Sequence, residues 1–521
     1  MSLRKLKRLK RSKSKEIRLR NNNAPPASDN DLMGLGAALR AQGCHASAID
    51  VFNRILTRTP DDIQALRALA AVYVEQGLFK EAVPVFEKIT RKRPEDVDAL
   101  TKLAIVHQKC GNLAQSVALY KKALELRPEF LPARLSLVET LERYNKVDEA
   151  YSEVLAGLKI FLDDTSIAIR AAACERRLNK YQKALDRLLS LDPGKMEMFD
   201  QRYYYFELGR VCNKLKDYDK AFSSFARGNI ATRKLSKQID AKYYLERIAV
   251  VRDGFQSLKS LPPTEHSLQG DNPVFLVGFP RSGTTLMDQI LDCHPMLQTM
   301  EEQNIVETIE NRVADPFEQY VSGWQSLSAE QIKTMQDEYY NEVAKRITRE
   351  EGKILVDRMP LNITRIALIW RLFPGAKFIL VVRHPIDVCL SCFMQNFKAN
   401  TANVNFFSLE DAALFYSRVM ELWRLYVELL PISYHMVRYE DLVADLEGES
   451  RRILEFLGLG WDENVLKFYQ HARGKEHIKT ASYHQVNRPI YKDAVYRWQR
   501  YEKYCEPIKD KLAPYIEYFG Y

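Results

Sequence analysis

The chain has no run of about 18 consecutive apolar residues, so nothing in it is expected to span a membrane as a helix. Histidine is scarce, with nine in 521 residues. The eight cysteines are scattered, and only Cys389 and Cys392 stand as a C-x-x-C pair. A zinc site needs a second pair or histidines at ligand spacing, and neither is there, so these two read as small apolar helix residues. No secretory apolar core follows the basic N-terminus, which points to a reduced, cytoplasmic setting. Charge of one sign is also missing from the body. The net charge is +9, but residues 1–20 carry ten Lys or Arg and one Glu, leaving the other 501 residues balanced. A basic arm of this kind suits a membrane surface, a nucleic acid or an acidic partner, while the folded body has no bulk attraction to nucleic acid.

A 34-residue period is present. Gly43, Gly77 and Gly111 keep that spacing, as do Ala48, Ala82 and Ser116, then Phe52, Phe86 and Tyr120, then Pro60, Pro94 and Pro128. Glycine permits a tight turn between two helices, the small residue lets them approach, the aromatic fills the gap, and proline closes the unit. The pattern continues through Asn145 with Ala150 and Asn179 with Ala184, since Asn also takes the left-handed turn, and again near Tyr218 and Ala221. In period and position classes this resembles the tetratricopeptide repeat family and predicts about six helical hairpins between residues 30 and 235. Such an array binds an extended protein or peptide, supports its neighbour, or pairs with a second copy. Residues 234–260 look helical and connecting, and 261–273 loop-like.

The second half alternates short apolar runs with helical patterns, with candidate strands at 274–277, 354–356, 378–382 and 435–437. Val, Ile and Leu dominate them, as in a parallel sheet covered on both faces, where ligands gather beyond the strands' C-terminal ends. The division expected is a basic tail at 1–29, an α-solenoid of repeats at 30–235, a connector at 236–270 and a P-loop-like, parallel-sheet α/β domain at 271–521.

Polar residues follow each candidate strand. After the first comes G-F-P-R-S-G-T-T, Gly278 to Thr285, a strand–turn–helix geometry that aims backbone N–H groups at an anion. A triphosphate-binding loop needs Lys after its second glycine, where Thr284 stands, so ATP chemistry is disfavoured. Glu301 and Glu302 come next, then Asp357, Arg358 and Asn362 after the second strand. Arg383 ends the third strand with Ser391 eight residues on, and Arg438, Tyr439, Glu440 and Asp441 follow the fourth. Arginine at a strand end with serine on the next helix can hold a second phosphate, which suggests a nucleotide phosphorylated at two places.

P-R-S-G-T-T-L and R-H-P-x-D-V-x-x-S resemble the 5′-phosphosulfate and 3′-phosphate loops of the sulfotransferases, which use 3′-phosphoadenosine 5′-phosphosulfate as co-substrate. The similarity is to the tyrosylprotein branch and to the bacterial proteins that fuse tetratricopeptide repeats to such a domain, spans roughly 271–500, and implies roles residue by residue. Arg281, Ser282, Gly283, Thr284 and Thr285 would cradle the 5′ phosphosulfate. Glu302 matches a general base, and Arg358 falls where a catalytic Lys is expected. Arg383 and Ser391 match 3′-phosphate ligands, Tyr439 an aromatic near the nucleoside, Ser482 a serine reaching the leaving phosphate, and Arg497 a late nucleotide contact. Gln395 stands where a further nucleotide-binding Arg is expected, and the membrane anchor of the Golgi enzymes has no counterpart. The resemblance implies no metal. It implies transfer to a protein tyrosine, with a carbohydrate or small metabolite as the alternative acceptor. A P-loop phosphotransferase and a catalytically silent repeat adaptor are the rival classes.

Sulfuryl transfer builds charge on the oxygen bridging to the departing phosphate, and donors placed there lower the barrier by about 2–4 kcal/mol each. Arg281, Arg358 and Ser482 suit that task. The acceptor hydroxyl must lose a proton, so a carboxylate or imidazole within reach is needed. Local roles compete with these readings. Glu301 and Glu302 also fit an acidic first helical turn, Asp357 can orient its loop, and His294 and His384, each preceding a proline, fit turn capping and packing.

Overall fold

The computed structural model describes residues 28–258, 272–313, 317–474, 490 and 493–521. Ser482, the basic tail through residue 27 and most of the 261–273 loop lie outside the described residues. Packing divides the chain into two units, Met1–Arg170 and Ala171–Tyr521.

Six helical hairpins run from Asp29–Ala41 with His45–Arg58 to Met198–Lys214 with Tyr218–Leu235. The turn residues Gly43, Gly77, Gly111, Asn145 and Asn179 all have left-handed φ, between 58° and 89°. That is the conformation for which the 34-residue spacing selects Gly or Asn. In the sixth hairpin the spacing lengthens and Lys216 takes the turn, with φ 64°. The small positions Ala48, Ala82, Ser116, Ala150, Ala184 and Ala221 are sealed between paired helices. After Pro60 and Pro94, the carboxylates of Asp62 and Asp96 accept from the amides of Ala65 and Ala99 at 2.9 and 3.0 Å. Each caps the next helix, contributing about 1 kcal/mol. Proline therefore ends one unit while the aspartate two residues on starts the next.

The second unit contains a five-stranded sheet. Its strands are β1 (Val274–Gly278), β2 (Leu297–Met300), β3 (Ile354–Arg358), β4 (Lys377–Val382) and β5 (Ser433–Arg438), in the order β2-β3-β1-β4-β5. Every pairing is parallel. β1 is buried along its whole length, which accounts for its unbroken apolar sequence, whereas β5 at the edge alternates with exposed Tyr434 and Met436. One face packs Leu276, Val356, Ile379 and Val381 against Met287, Ile290 and Ile453. On the other, Phe275 meets Tyr339, Phe373 and Phe378 with ring centroids 5.9–6.1 Å apart. Each such side chain contributes about 1.5–3 kcal/mol by leaving water. Among the described residues no helix is long and apolar enough to cross a membrane.

Of the connector, helix Tyr243–Gln256 is formed, and it packs on the α/β core. Arg247 pairs with buried Glu310 at 2.8 Å, and the Phe255 ring contacts Trp324 at 4.9 Å. The sixth hairpin packs on the same core. Phe222 stacks between Tyr504, at 3.9 Å, and Phe393, at 4.9 Å, and Asn229 Nδ2 donates to the Phe393 carbonyl at 2.9 Å.

A Cβ on Gly278, the last residue of β1, would lie 2.5 Å from the Val381 carbonyl oxygen of β4. Backbone cannot yield there, so Gly278→Ala should destabilise the second unit by about 1–3 kcal/mol. A circular-dichroism melt of the full chain checks this, and an unchanged midpoint would contradict the close strand approach.

Candidate active site

All five strand ends meet at one sheet edge. β1 runs into the turn Phe279–Ser282, closed by the Ser282 amide on the Phe279 carbonyl at 3.1 Å. Arg281 has φ 73° there, an unusual conformation for a side chain this long and a strain that marks functional loops. Helix Thr284–Leu291 starts from Gly283 without a side-chain cap, so its first amides have no intrahelical acceptor and suit an anion. Gly283 has φ 111°, and a Cβ on it would lie 2.7 Å from the Tyr439 ring. Tyr439, the residue after β5, therefore lies against the loop. Ser282, Thr284 and Thr285 are buried.

The second loop leaves β4 at Arg383, which is 6% exposed. Its guanidinium pairs with Asp387 at 3.3 Å, donates to the Ala494 carbonyl, and lies 5.1 Å from the Tyr439 ring centroid. Ser391 is two turns into helix Pro385–Phe393, and Arg281 Nε donates to its hydroxyl at 3.2 Å. The two loops, more than a hundred residues apart in sequence, thus touch through Arg281–Ser391 and through Tyr439. Arg497 reaches the same helix's end, with Nη2 3.4 Å from the Met394 sulfur. Trp498 donates its amide to Asp387 at 2.7 Å. Ser482 lies outside the described residues.

Glu301 and Glu302 follow β2, a strand absent from the sequence reading. They sit in the loop before helix Ile305–Val313 rather than in its first turn. β2 pairs with β3, Met300 opposite Asp357, which brings Glu302 beside Arg358. Arg358 has no exposed surface, and its Nη1 donates to Glu302 Oε1 at 2.7 Å while the Glu302 side chain stays half-exposed. Its Nε lies 3.3 Å from Asp288 Oδ1. Burial opposes the charge, but Asp288 and then Glu302 hold the guanidinium above its ordinary value. Asp288 escaped the sequence reading, although an aspartate within the apolar stretch of helix Thr284–Leu291 is itself a signal.

Asp357 points to the opposite face from Arg358, as strand alternation requires. Burial pushes its carboxyl up to about 7, opposed by a 2.8 Å hydrogen bond from the Tyr339 hydroxyl. It is a core residue. His384 stacks on Trp498 with centroids 5.3 Å apart, and burial pushes its imidazole down to about 4, so it packs as a neutral ring. His294 lies 3.0 Å, through Nε2, from the Gly460 carbonyl and accepts from the Met296 amide at 3.2 Å, a turn-holding role. Cys389 and Cys392 are fully buried in their helix, which pushes both thiols up.

Residues 273–463 match the model of a sulfotransferase family, and residues 39–105 and 97–127 match tetratricopeptide repeats. The C-terminal domain belongs to the sulfotransferase family. An uncharacterized protein of Aquifex aeolicus (strain VF5) is 33% identical over 325 residues, covering 59% of this chain and 41% of that protein. Protein-tyrosine sulfotransferase A of Caenorhabditis elegans is 26% identical over 267 residues, covering 48% of this chain and 67% of that one. The protein-tyrosine sulfotransferase of Drosophila melanogaster is 26% identical, with 48% and 51% covered. The chain thus spans about two-fifths of the Aquifex protein's length and half to two-thirds of these two sulfotransferases. Among solved structures, the sulfotransferase domain from the Synechococcus PCC 7002 olefin synthase is 24% identical, with a TM-score of 0.34 over 46% of this chain and 91% of that domain.

Among the described residues, the donors Ser282 Oγ, Arg358 Nε and Nη2 and Arg383 Nε are buried without a hydrogen-bond partner, as are the acceptors Asp288 Oδ1 and Asp387 Oδ2. Buried polar atoms are rarely left so, and the gathering of these four donors at one sheet edge fits an anionic ligand.

Proposed function

We propose that the chain transfers a sulfuryl group from 3′-phosphoadenosine 5′-phosphosulfate to a hydroxyl, and that the acceptor is a protein tyrosine presented with the help of the repeats. The observation that carries the reading is the contact between the two loops, Arg281 on Ser391, with unpartnered donors on both. A crevice with two anion sites suits a 3′,5′-bisphosphorylated nucleotide better than a linear triphosphate. The family match and the protein-tyrosine sulfotransferase relatives support the reaction class.

The co-substrate supplies an activated sulfuryl group whose transfer leaves a phosphate. In this reading Arg281, Ser282 and the amides of Gly283, Thr284 and Thr285 bind its 5′ end, while Arg383 and Ser391 bind the 3′ phosphate. Tyr439 and Arg497 flank the nucleoside, and Ser482 contacts the leaving phosphate. Arg358 balances charge at the transferring group. Glu302 takes the acceptor's proton, and its half-exposed position leaves the carboxylate accessible to an incoming hydroxyl.

Incubating the full chain with 35S-labelled co-substrate and, in parallel, a tyrosine-peptide library, glycans and small phenols tests this. Label on peptide tyrosine is expected. Label on glycans alone would replace the acceptor and leave the reaction standing. Absence of label from every acceptor, with ATP and Mg²⁺ bound instead, would overturn the reaction class.

A further inference from the structure

The buried cluster behind the first loop assigns each nitrogen of one guanidinium separately. Arg358 Nη1 donates to Glu302 Oε1 at 2.7 Å, while Nε lies 3.3 Å from Asp288 Oδ1, an ion-pair contact in which neither atom makes a hydrogen bond among the described residues. Nη2 has no partner among the described residues. Asp288 is itself completely buried, and Gln289 Nε2 donates to its other oxygen at 2.8 Å, so Oδ1 is the atom left to face Arg358. Asp288 and Arg358 come from the loop helix and from β3, which flanks β1.

A buried ion pair is a poor way to stabilise a fold, because desolvating both charges cancels most of their attraction. Asp288 is buried on the same helix as the core residues Met287, Ile290 and Leu291, so an apolar pair of similar volume would serve stability at least as well. The pair does supply orientation. Without Asp288, a guanidinium bonded only to Glu302 can rotate about that contact. With one hydrogen bond at Nη1 and the Asp288 charge drawing the Nε side, its orientation is restricted and its third nitrogen has a defined place.

We infer, resting on the sulfotransferase reading, that Asp288 is a positioning residue for the transfer step. It fixes Arg358 from the Nε side so that Glu302 remains on Nη1 and Nη2 is kept for the transferring group. The arrangement also relates the position of the cation to the 5′-phosphate loop, because Asp288 lies one turn beyond Thr284 on the helix which that loop begins.

Steady-state kinetics of the full chain with labelled co-substrate and a tyrosine peptide test the assignment, alongside calorimetric binding of 3′-phosphoadenosine 5′-phosphate. Asp288→Asn should lower kcat about 10- to 100-fold while the peptide KM stays within about threefold. Asp288→Glu should recover much of the loss. In an Arg358→Gln background, adding Asp288→Asn should cost nothing more, because the residue acts through Arg358. That double variant removes both buried charges, so it remains informative if Asp288→Asn fails to fold. Wild-type kcat in folded Asp288→Asn, or a further independent loss in the Arg358→Gln background, would overturn the inference and leave the function standing. A wild-type chain that labels no acceptor would overturn the function and the inference with it.

Discussion

Arg383→Ala should weaken binding of 3′-phosphoadenosine 5′-phosphate by about 100- to 1,000-fold, while affinity for adenosine 5′-phosphate changes by less than about threefold. Arg383 is nearly sealed at the end of β4, and its only described carboxylate partner is Asp387, four residues on. In the proposed reading Arg383 meets the 3′ phosphate, so its removal loses a charge-assisted interaction and leaves Asp387 without its counter-charge, a loss of about 3–4 kcal/mol. The 3′-dephosphorylated nucleotide does not use the lost contact, so the ratio of the two affinities isolates the 3′ phosphate from general damage. Calorimetry on both nucleotides, with a melt to verify folding, makes the measurement. Equal losses for both would mean that Arg383 supports the loop without reading the phosphate.

Glu302→Gln should lower kcat for a tyrosine peptide by about 10²- to 10⁴-fold, the range lost when a positioned general base is removed. Affinity for 3′-phosphoadenosine 5′-phosphate should be nearly unchanged. The amide oxygen of Gln can still accept from Arg358 Nη1, so the geometry behind the site is kept and the proton acceptor alone is withdrawn. Glu301→Gln is the matched control, one residue away and expected to keep kcat within about threefold. Initial rates with saturating co-substrate separate the two. A Glu302→Gln chain as fast as wild type would remove Glu302 from the chemistry and leave the anion loops untouched.

The parts of this molecule legible in its sequence are those for which one residue type solves a local steric problem. Left-handed turns call for Gly or Asn, so five of the hairpin turns stand out at a fixed period, and the sixth, at Lys216, does not. Buried parallel strands call for unbroken Val, Ile and Leu, so β1, β3 and β4 are visible, whereas only half of β5, 435–437, is read from its edge sequence. β2 is four residues, L-Q-T-M, half apolar and on the sheet's edge, and it carries no such signature. Its omission hid the most informative adjacency in the site. Glu302 lies beside Arg358 because β2 pairs with β3, and no spacing along the chain reports that pairing. Asp288 was hidden for the opposite reason, a charged residue absorbed into an apolar helix pattern. The contact of Arg281 with Ser391 and that of Tyr439 with Gly283 depend on strand order, which composition does not encode.

The sixth hairpin supports the helix that carries Ser391. Asn229 holds the Phe393 carbonyl, and Arg202 donates to Asn396 and to the Phe397 carbonyl at 2.6 and 2.7 Å. This sets where the chain can be rearranged over evolutionary time. The Met198–Leu235 hairpin must be inherited with the α/β domain, since Phe222, Asn229 and Arg202 all have partners in that domain's own segments. Lineages that shuffle their repeats should therefore keep this hairpin's sequence tied to that of residues 385–397 and 501–504, with the last repeat diverging as part of the enzyme.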